Sequence, residues 1–238
     1  MSETIVLDGP RVAPASGRPA RQLVMFLHGY GANGDDLIGL APHWQALLPD
    51  AAFVSPDAPE PVPGAPGGRQ WFSLNRYDPN MLRRKASQAG QAQGEIRGEM
   101  LAGARNAAPA LNAFIDAELE RLRLGPERLA LVGFSQGTMM ALHVGLRRAP
   151  GPACILGFSG ALVGADRLAG EIASRPPVML VHGDADDVVP FDALFTATNA
   201  LAAAGATAQW HVAHGAGHGI EPGGLERGGR FLAQSLPR

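Results

Sequence analysis

Short apolar runs alternate with longer segments of helical periodicity along most of the chain, and this alternation limits the possible folds more than any other feature. Apolar runs bounded by Gly, Pro or Asp are typical of buried strands, and the segments between them are long enough for helices that connect parallel strands. The predicted strands are Thr4–Leu7, Leu23–Leu27, Ala52–Ser55, Leu129–Val132, Ile155–Phe158, Val178–Val181 and Ala208–Val212. The predicted helices are Asp35–Leu48, Met100–Leu122, Gln136–Arg147, Phe191–Ala204 and Leu225–Gln234. The pattern predicts an α/β fold, with a mostly parallel central sheet and helices on both faces.

The length and composition favour one domain, residues 1–238, with a sizeable core. Hydrophobic residues make up 46% of the 238 residues, and a chain of this size usually folds around one core. The 20 Lys and Arg residues nearly balance the 22 Asp and Glu residues. The resulting net charge of -2 provides no field that would attract nucleic acid or an anionic membrane, so neither is an expected partner. The lone cysteine, Cys154, is interpreted as a buried structural thiol.

The N-terminal segment and the hydropathy pattern predict a cytoplasmic protein. Residues Met1–Pro10 include two acidic side chains and lack the basic region and apolar run of a secretory signal. No apolar stretch approaches the ~20 residues that a bilayer crossing requires, so stable membrane insertion is not expected.

The motif Gly133-Phe134-Ser135-Gln136-Gly137 directly follows a predicted strand and leads into a predicted helix. A G-x-S-x-G sequence in this context is typical of a nucleophile elbow, a strained turn that pushes the serine hydroxyl out of the sheet. Glycine is needed on both sides because only small neighbours fit so tight a turn. Ser135 is therefore the predicted nucleophile. The N–H of Gln136, at a helix N-terminus, is a predicted oxyanion donor.

A serine nucleophile requires a histidine to accept its proton and a carboxylate to orient that histidine. In this type of fold the chain order is serine, acid, histidine. His218 lies in a glycine-rich loop after the last predicted strand and is preferred over His214, which is closer to the strand end. The acid is expected in the loop after the preceding predicted strand. Spacing alone leaves three candidates there: Asp184, Asp186 and Asp187.

With these residues assembled, the chain resembles the phospholipase/carboxylesterase family of α/β-hydrolases, which includes acyl-protein thioesterases and small bacterial carboxylesterases. The resemblance rests on five blocks in order: Leu27-His28-Gly29-Tyr30-Gly31, Trp71-Phe72, Gly133-Phe134-Ser135-Gln136-Gly137, His182-Gly183-Asp184-Ala185-Asp186 with Val189-Pro190, and Gly217-His218. It implies an α/β-hydrolase fold, with no large cap domain. It also implies that the acid is the second aspartate of its block, here Asp186, with Asp187 in reserve. The second oxyanion donor implied by the resemblance is the N–H of Tyr30.

Three positions qualify the resemblance. His28 is interpreted as shaping its turn, because the base position is already filled. Thr138 stands where a second glycine often follows the elbow in the family, and the segment after Trp71-Phe72 is longer than usual. Residues 71–98 are predicted to form a surface flap near the active site, since variable loops follow the strand ends of such folds. The Pro- and Gly-rich segment 56–68 is likewise predicted to run over the surface.

The residues and the resemblance together imply a serine carboxylesterase that acts on small-molecule carboxylic esters or thioesters through an acyl-enzyme. The alternative is an acyl-protein thioesterase or lysophospholipase, and a non-catalytic binding module on the same scaffold is the alternative from another class. No cofactor or metal is expected, because the histidines and acids lack zinc-site spacing. A homodimer through exposed flap residues is compatible with the sequence but not required by it. The apolar candidates for substrate binding are Trp71, Phe72, Leu162 and Val189.

Overall fold

Strands and helices alternate along the chain. The computed structural model describes residues 6–74 and 89–237, with residues 89–95 described through their backbone only. The strands β1 to β9 are Arg11–Val12, Gln22–Leu27, Ala51–Val54, Glu60–Pro61, Arg69–Gln70, Leu129–Phe134, Cys154–Phe158, Val178–Gly183 and Ala208–Ala213. The α-helices α1 to α7 are Gly34–Ile38, Ala41–Gln45, Ala89–Leu122, Gln136–Arg147, Leu168–Glu171, Asp192–Ala203 and Pro222–Ser235.

Seven of the strands form one sheet, in the order β1-β3-β2-β6-β7-β8-β9. Only the pair of β1 and β3 is antiparallel, and the other neighbouring pairs are parallel. Every residue of β2, β7 and β8 is buried, as expected for strands covered on both faces. The predicted α/β-hydrolase fold with a mostly parallel sheet is thus confirmed. Strands β4 and β5 form a separate antiparallel pair.

Each face of the sheet has its own apolar core, because alternate residues of a strand point to opposite faces. On β2, Leu23, Met25 and Leu27 belong to a core shared with α3, α4 and α6. Val24 and Phe26 belong to a second core, shared with α1, α2 and α7. Burial of one such side chain stabilises a fold by about 1.5–3 kcal/mol. Both layers of helices are therefore held to the sheet by the strand residues themselves.

The predicted strand Thr4–Leu7 is wrong in the part that the structure describes. Val6 and Leu7 are not in a strand, while Thr4 and Ile5 lie outside the described residues. Within the described residues the first strand is Arg11–Val12, which pairs with β3. Leu7 is nevertheless buried in the larger core. The apolar character that suggested a strand therefore reflects a packing contact rather than a sheet ladder.

The predicted helix Asp35–Leu48 is interrupted. It consists of α1 and α2, separated at Gly39–Leu40. Pro42 lies in the first turn of α2, and its ring nitrogen has no hydrogen to donate to the turn before it. The apolar periodicity continues across the break, which explains why one helix was predicted.

The predicted helix Met100–Leu122 begins earlier, at Ala89. Residues 89–98, predicted as part of a surface flap, are therefore helical. At the other end of that segment, Trp71 and Phe72 are buried. Residues 75–88 lie outside the described residues, and for them the flap remains a prediction.

A reversal of strand order creates a crevice at the carboxyl ends of the central strands. From β2 the chain moves outward to β3, and it later returns to β6 on the other side of β2. The connections after β2 and β6 consequently leave in opposite directions, which opens a crevice at the carboxyl ends of these strands. The loops after β8 and β9 also start at the carboxyl ends of their strands, on the same side of the sheet as the crevice, because β6 to β9 are parallel.

Candidate active site

Ser135 lies between the end of β6 and the start of α4, with a φ of 54° that is uncommon for a residue other than glycine. Its N–H donates to the carbonyl oxygen of Phe158, on the neighbouring strand, at 2.9 Å. A side chain at Gly133 would overlap the backbone of Gly137, and one at Gly137 would overlap the carbonyl of Leu27. Close backbone approach therefore requires both glycines, and the motif forms the strained turn that it predicts.

The imidazole of His218 lies between Ser135 and Asp186. Its Nε2 is 3.0 Å from Ser135 Oγ, and its Nδ1 is 2.8 Å from Asp186 Oδ2. Because an ionised carboxylate only accepts, Nδ1 carries the hydrogen and Nε2 is left to accept from the serine hydroxyl. The ring of Phe134 packs against the imidazole, with ring centroids 4.9 Å apart. The three polar side chains form a hydrogen-bonded chain that could move a proton from Oγ to the imidazole.

The carboxylate of Asp186 is fully buried and held on both oxygens. Its Oδ1 accepts the N–H groups of Val188 and Val189, both at 2.9 Å, while Oδ2 accepts from His218. Its side chain has no solvent exposure. The backbone of its own loop thus fixes which oxygen faces the imidazole.

The two other aspartates of this loop are exposed. Asp184 accepts from Nδ1 of His214 at 2.9 Å and from the N–H of Gly215 at 2.7 Å. These hydrogen bonds hold the pKa of Asp184 below its usual value. His214, the competing candidate for the base, is therefore engaged with a different carboxylate on the surface. Asp187, the reserve candidate for the acid, is also exposed.

The two N–H groups predicted to hold an oxyanion come from the turns after β2 and β6. Gln136 is the first residue of α4, where N–H groups have no partner within the helix. Tyr30 precedes Gly31, whose N–H donates to the carbonyl of Arg69 at 2.9 Å. Among the described residues, neither the N–H of Tyr30 nor that of Gln136 has an acceptor. Both groups are therefore without a partner in the described part of the chain, and their shared role stays a prediction.

His28 is built into the turn after β2. It is fully buried, with Nδ1 2.8 Å from the carbonyl oxygen of Gly29 and Nε2 accepting the N–H of Ala58 at 3.0 Å. Burial lowers the pKa of His28. Both ring nitrogens are thus satisfied in the neutral form, which agrees with the interpretation that His28 shapes the turn.

Comparison with known proteins identifies the family. Residues 8–236 match the Phospholipase/Carboxylesterase family. The chain belongs to this family. The match includes the elbow and the loops that carry Asp186 and His218, so the resemblance found in the sequence motifs is confirmed.

Relatives of the chain within this family include esterases and thioesterases. It is 29% identical to acyl-protein thioesterase 1 of Gibberella zeae, over 96% of each chain. It is 26% identical to esterase YpfH of Escherichia coli, over 95% of this chain and 88% of the relative. Among solved structures, that of esterase PE8 has a TM-score of 0.85 and 42% identity, and the alignment covers 98% of this chain and 100% of PE8.

Thr138, where the commonest family pattern has glycine, joins the ends of β6 and β7 beneath the elbow. Its hydroxyl lies 2.8 Å from the carbonyl oxygen of Gly133 and 2.9 Å from that of Phe158. The same oxygen accepts the N–H of Phe158 at 3.0 Å. Its side chain also occupies space that a Cβ at Gly157 or Gly160 would need. This departure from the family pattern therefore packs under the site rather than into the crevice.

The structure buries all four candidates for substrate binding. All four belong to the larger apolar core. The N–H of Val189 also donates to Oδ1 of Asp186. Their role in lining an acyl groove stays a prediction. The four residues are Trp71, Phe72, Leu162 and Val189.

Two residues beside the site were not found by sequence reasoning. His182 is buried, with Nε2 3.0 Å from the carbonyl oxygen of Val189 and 3.4 Å from Asp186 Oδ2. Ser159, with a φ of 45°, donates its hydroxyl to the carbonyl of Gly219 at 3.1 Å. Both lie at strand ends. His182 belongs to a block that carries the family resemblance, but the block assigns this histidine no role, and no sequence signal marks Ser159.

No group of three His, Cys, Asp or Glu side chains within the described residues is arranged to hold a metal ion. In the same part of the chain, no helix is long and apolar enough to cross a membrane. That the reaction needs no metal or cofactor stays a prediction.

Proposed function

We propose that the chain is a serine carboxylesterase with Ser135 as nucleophile, His218 as base and Asp186 as the acid that orients the histidine. The hydrogen-bonded chain through these residues, 3.0 Å from Oγ to Nε2 and 2.8 Å from Nδ1 to Oδ2, carries the proposal. It lies at the carboxyl ends of the parallel strands, where open α/β sheets bind ligands. Membership of a family with esterases among its members supports the same reaction class.

In the first half of the reaction, Ser135 Oγ attacks the carbonyl carbon of the ester while its proton moves to Nε2 of His218. The electron pair of the C=O bond moves to oxygen, and the N–H groups of Tyr30 and Gln136 hold that oxyanion. Asp186 stabilises the imidazolium through Nδ1–H. Collapse of the intermediate breaks the bond to the alcohol, which takes the proton from Nε2 and leaves an acyl-serine.

In the second half, water takes the place of the alcohol. His218 accepts a proton from the water as its oxygen attacks the acyl carbon, and the same two N–H groups hold the second oxyanion. Collapse returns the proton to Ser135 Oγ and releases the carboxylic acid. The balance is one ester and one water consumed for one acid and one alcohol.

A thioester substrate is the second candidate, because a relative over 96% of this chain is an acyl-protein thioesterase. The same steps apply, with a thiol leaving in place of the alcohol. Activity measurements assign which acyl chain length and which leaving group the crevice prefers.

The test is hydrolysis of p-nitrophenyl esters with acyl chains of two to sixteen carbons, and of an acyl thioester, by wild type and Ser135→Ala. Loss of the nucleophile should abolish turnover on every substrate, since removing such a residue costs on the order of 10⁶-fold in kcat. Ser174→Ala is the matched control. Its hydroxyl donates to the carbonyl of Gly145 rather than to a histidine, and it lies before β8, at the amino ends of the strands.

A fluorophosphonate probe separates an enzyme from a binding module. Wild type should be labelled at Ser135 and nowhere else, and Ser135→Ala should not be labelled. A folded wild type that neither hydrolyses any of these substrates nor reacts with the probe would overturn the proposal. Retention of turnover by Ser135→Ala would overturn the choice of nucleophile.

A further inference from the structure

The side chain of Gln136 is used on both of its polar atoms. It is buried, and its Oε1 accepts the N–H of Trp71 at 2.8 Å while its Nε2 donates to the carbonyl of Phe72 at 2.8 Å. An amide that donates on one side and accepts on the other cannot flip without losing both bonds. The first residue of α4 is therefore fixed to the segment that follows β5.

Trp71 continues this connection to the turn after β2. Its indole N–H donates to the carbonyl oxygen of His28 at 3.0 Å, and its ring packs against the ring of His28, with centroids 5.7 Å apart. His28 is in turn held by the N–H of Ala58. A continuous path of hydrogen bonds thus runs from the side chain of Gln136 to the backbone two residues before Tyr30.

The sheet alone does not set the distance between the two turns. The ladder between β2 and β6 ends with the pair Leu27 and Gly133, and Tyr30 and Gln136 each lie three residues beyond it. Beyond the ladder, the backbone of Gly137 lies close to the carbonyls of Leu27 and His28, but this contact ends short of Tyr30. An oxyanion needs both donors at hydrogen-bond distance from one atom, so their separation must be held to a fraction of an ångström.

We propose that the carboxamide of Gln136 and the indole of Trp71 are positioning groups, which hold the backbone N–H groups of Tyr30 and Gln136 at the separation that one oxyanion requires. We call this path the oxyanion brace. The inference rests on the proposed function, since the brace has no catalytic effect without an oxyanion between the two turns. It assigns the side chain of Gln136 and the buried Trp71 a role distinct from lining an acyl groove.

Trp71→Phe tests the brace, and Trp44→Phe is its matched control. Both tryptophans are 1% exposed, and both donate the indole N–H to a backbone carbonyl at 3.0 Å, that of His28 for Trp71 and that of Leu225 for Trp44. The two substitutions remove the same atoms from a core and leave one carbonyl without its donor. Trp44 packs in the core on the other face of the sheet, away from both turns. A purely structural effect should therefore be similar in the two variants.

The expected result is a kcat about 10-fold lower in Trp71→Phe with KM changed much less, because a displaced donor still contributes part of the 10²–10³-fold effect of a complete oxyanion donor. The inhibition constant of a trifluoromethyl ketone, whose serine adduct places an oxyanion between the donors, should rise by the same factor. Trp44→Phe should keep both values. Gln136→Met, which keeps the side-chain length and removes both polar atoms, should change them in the same direction and provides the test if Trp71→Phe does not fold.

The outcomes separate the two proposals. Wild-type turnover and probe labelling at Ser135, together with unchanged kcat and ketone affinity in Trp71→Phe and Gln136→Met, would overturn the brace and leave the proposed function standing. An equal loss of kcat in Trp44→Phe and Trp71→Phe would also overturn the brace, because it would assign the effect to general destabilisation. An inert wild type would overturn both proposals.

Discussion

Asp186→Asn separates the orienting role of the carboxylate from its role in the fold. In the structure Oδ1 accepts two backbone N–H groups, those of Val188 and Val189, while Oδ2 accepts from Nδ1 of His218. An asparagine has one carbonyl oxygen and one NH2 group. Its oxygen must take the place of Oδ1, because an NH2 group there would face two donors. The NH2 group then faces Nδ1 of His218.

The consequence is a histidine in the wrong tautomer. With a donor facing it, Nδ1 must accept, so the ring hydrogen moves to Nε2 and points at Ser135 Oγ. That imidazole cannot take the serine proton, and kcat should fall on the order of 10⁴-fold, or about 5.5 kcal/mol. The two backbone hydrogen bonds remain, so the thermal midpoint should change little.

The assay is kcat for p-nitrophenyl butyrate, calculated per mole of folded protein. The control is Asp187→Asn, which makes the same chemical change one residue away on an exposed side chain. Such surface substitutions usually change the free energy of unfolding by no more than about 0.5 kcal/mol. A kcat of Asp186→Asn within 10-fold of wild type would refute the tautomer argument. A large loss in Asp187→Asn instead would transfer the role of acid to that residue.

Two further predictions concern stability. Thr138→Val should lower the free energy of unfolding by about 2–3 kcal/mol in urea titrations, because it leaves the buried N–H of Phe158 without an acceptor. Thr138→Ser keeps the hydroxyl and should lose less stability. Equal losses in the two variants would contradict this. Burial lowers the pKa of His143 to about 4 from 6.5, so between these values the unfolded chain binds a proton that the folded one excludes. Stability should then fall as pH falls, by up to about 1.4 kcal/mol per pH unit, and His143→Leu should show a shallower slope in unfolding titrations at pH 7, 6 and 5. An identical slope in the variant would assign the pH dependence to other groups.

The elements predicted correctly from sequence are those whose signal is local. Helix α4 spans Gln136–Arg147 as predicted, because its start is marked by the elbow and its apolar positions continue without a break. The order and approximate bounds of the parallel strands followed in the same way from buried apolar runs. Helix α3 was predicted 11 residues too short at its N-terminal end, because residues 89–99 are mostly polar or small and carry little periodicity.

The geometry of the site could be predicted only in part. Placement after the last strand favoured His218 over His214, and the structure places His218 beside Ser135. Spacing did not choose among the aspartates of one loop, because all three are within reach of a strand end, and only the family pattern favoured Asp186. The contacts of Gln136 with Trp71 and Phe72 join positions more than 60 residues apart. Nothing in the local pattern around either block indicates such a contact.

The strain at the nucleophile is held by the sheet as well as by the elbow. Beyond the regular ladder, the N–H of Ser135 donates to the carbonyl of Phe158, and the N–H of Ser159 donates to that of Val181. Ser135 and Ser159 both have positive φ, a conformation that costs of order 1–3 kcal/mol and persists only where neighbouring contacts enforce it. The hydroxyl of Ser159 then bonds the carbonyl of Gly219, directly after His218. The contacts that enforce the strained serine are thus linked to the loop of the histidine, so a disturbance at either strand end should reach both partners of the 3.0 Å hydrogen bond.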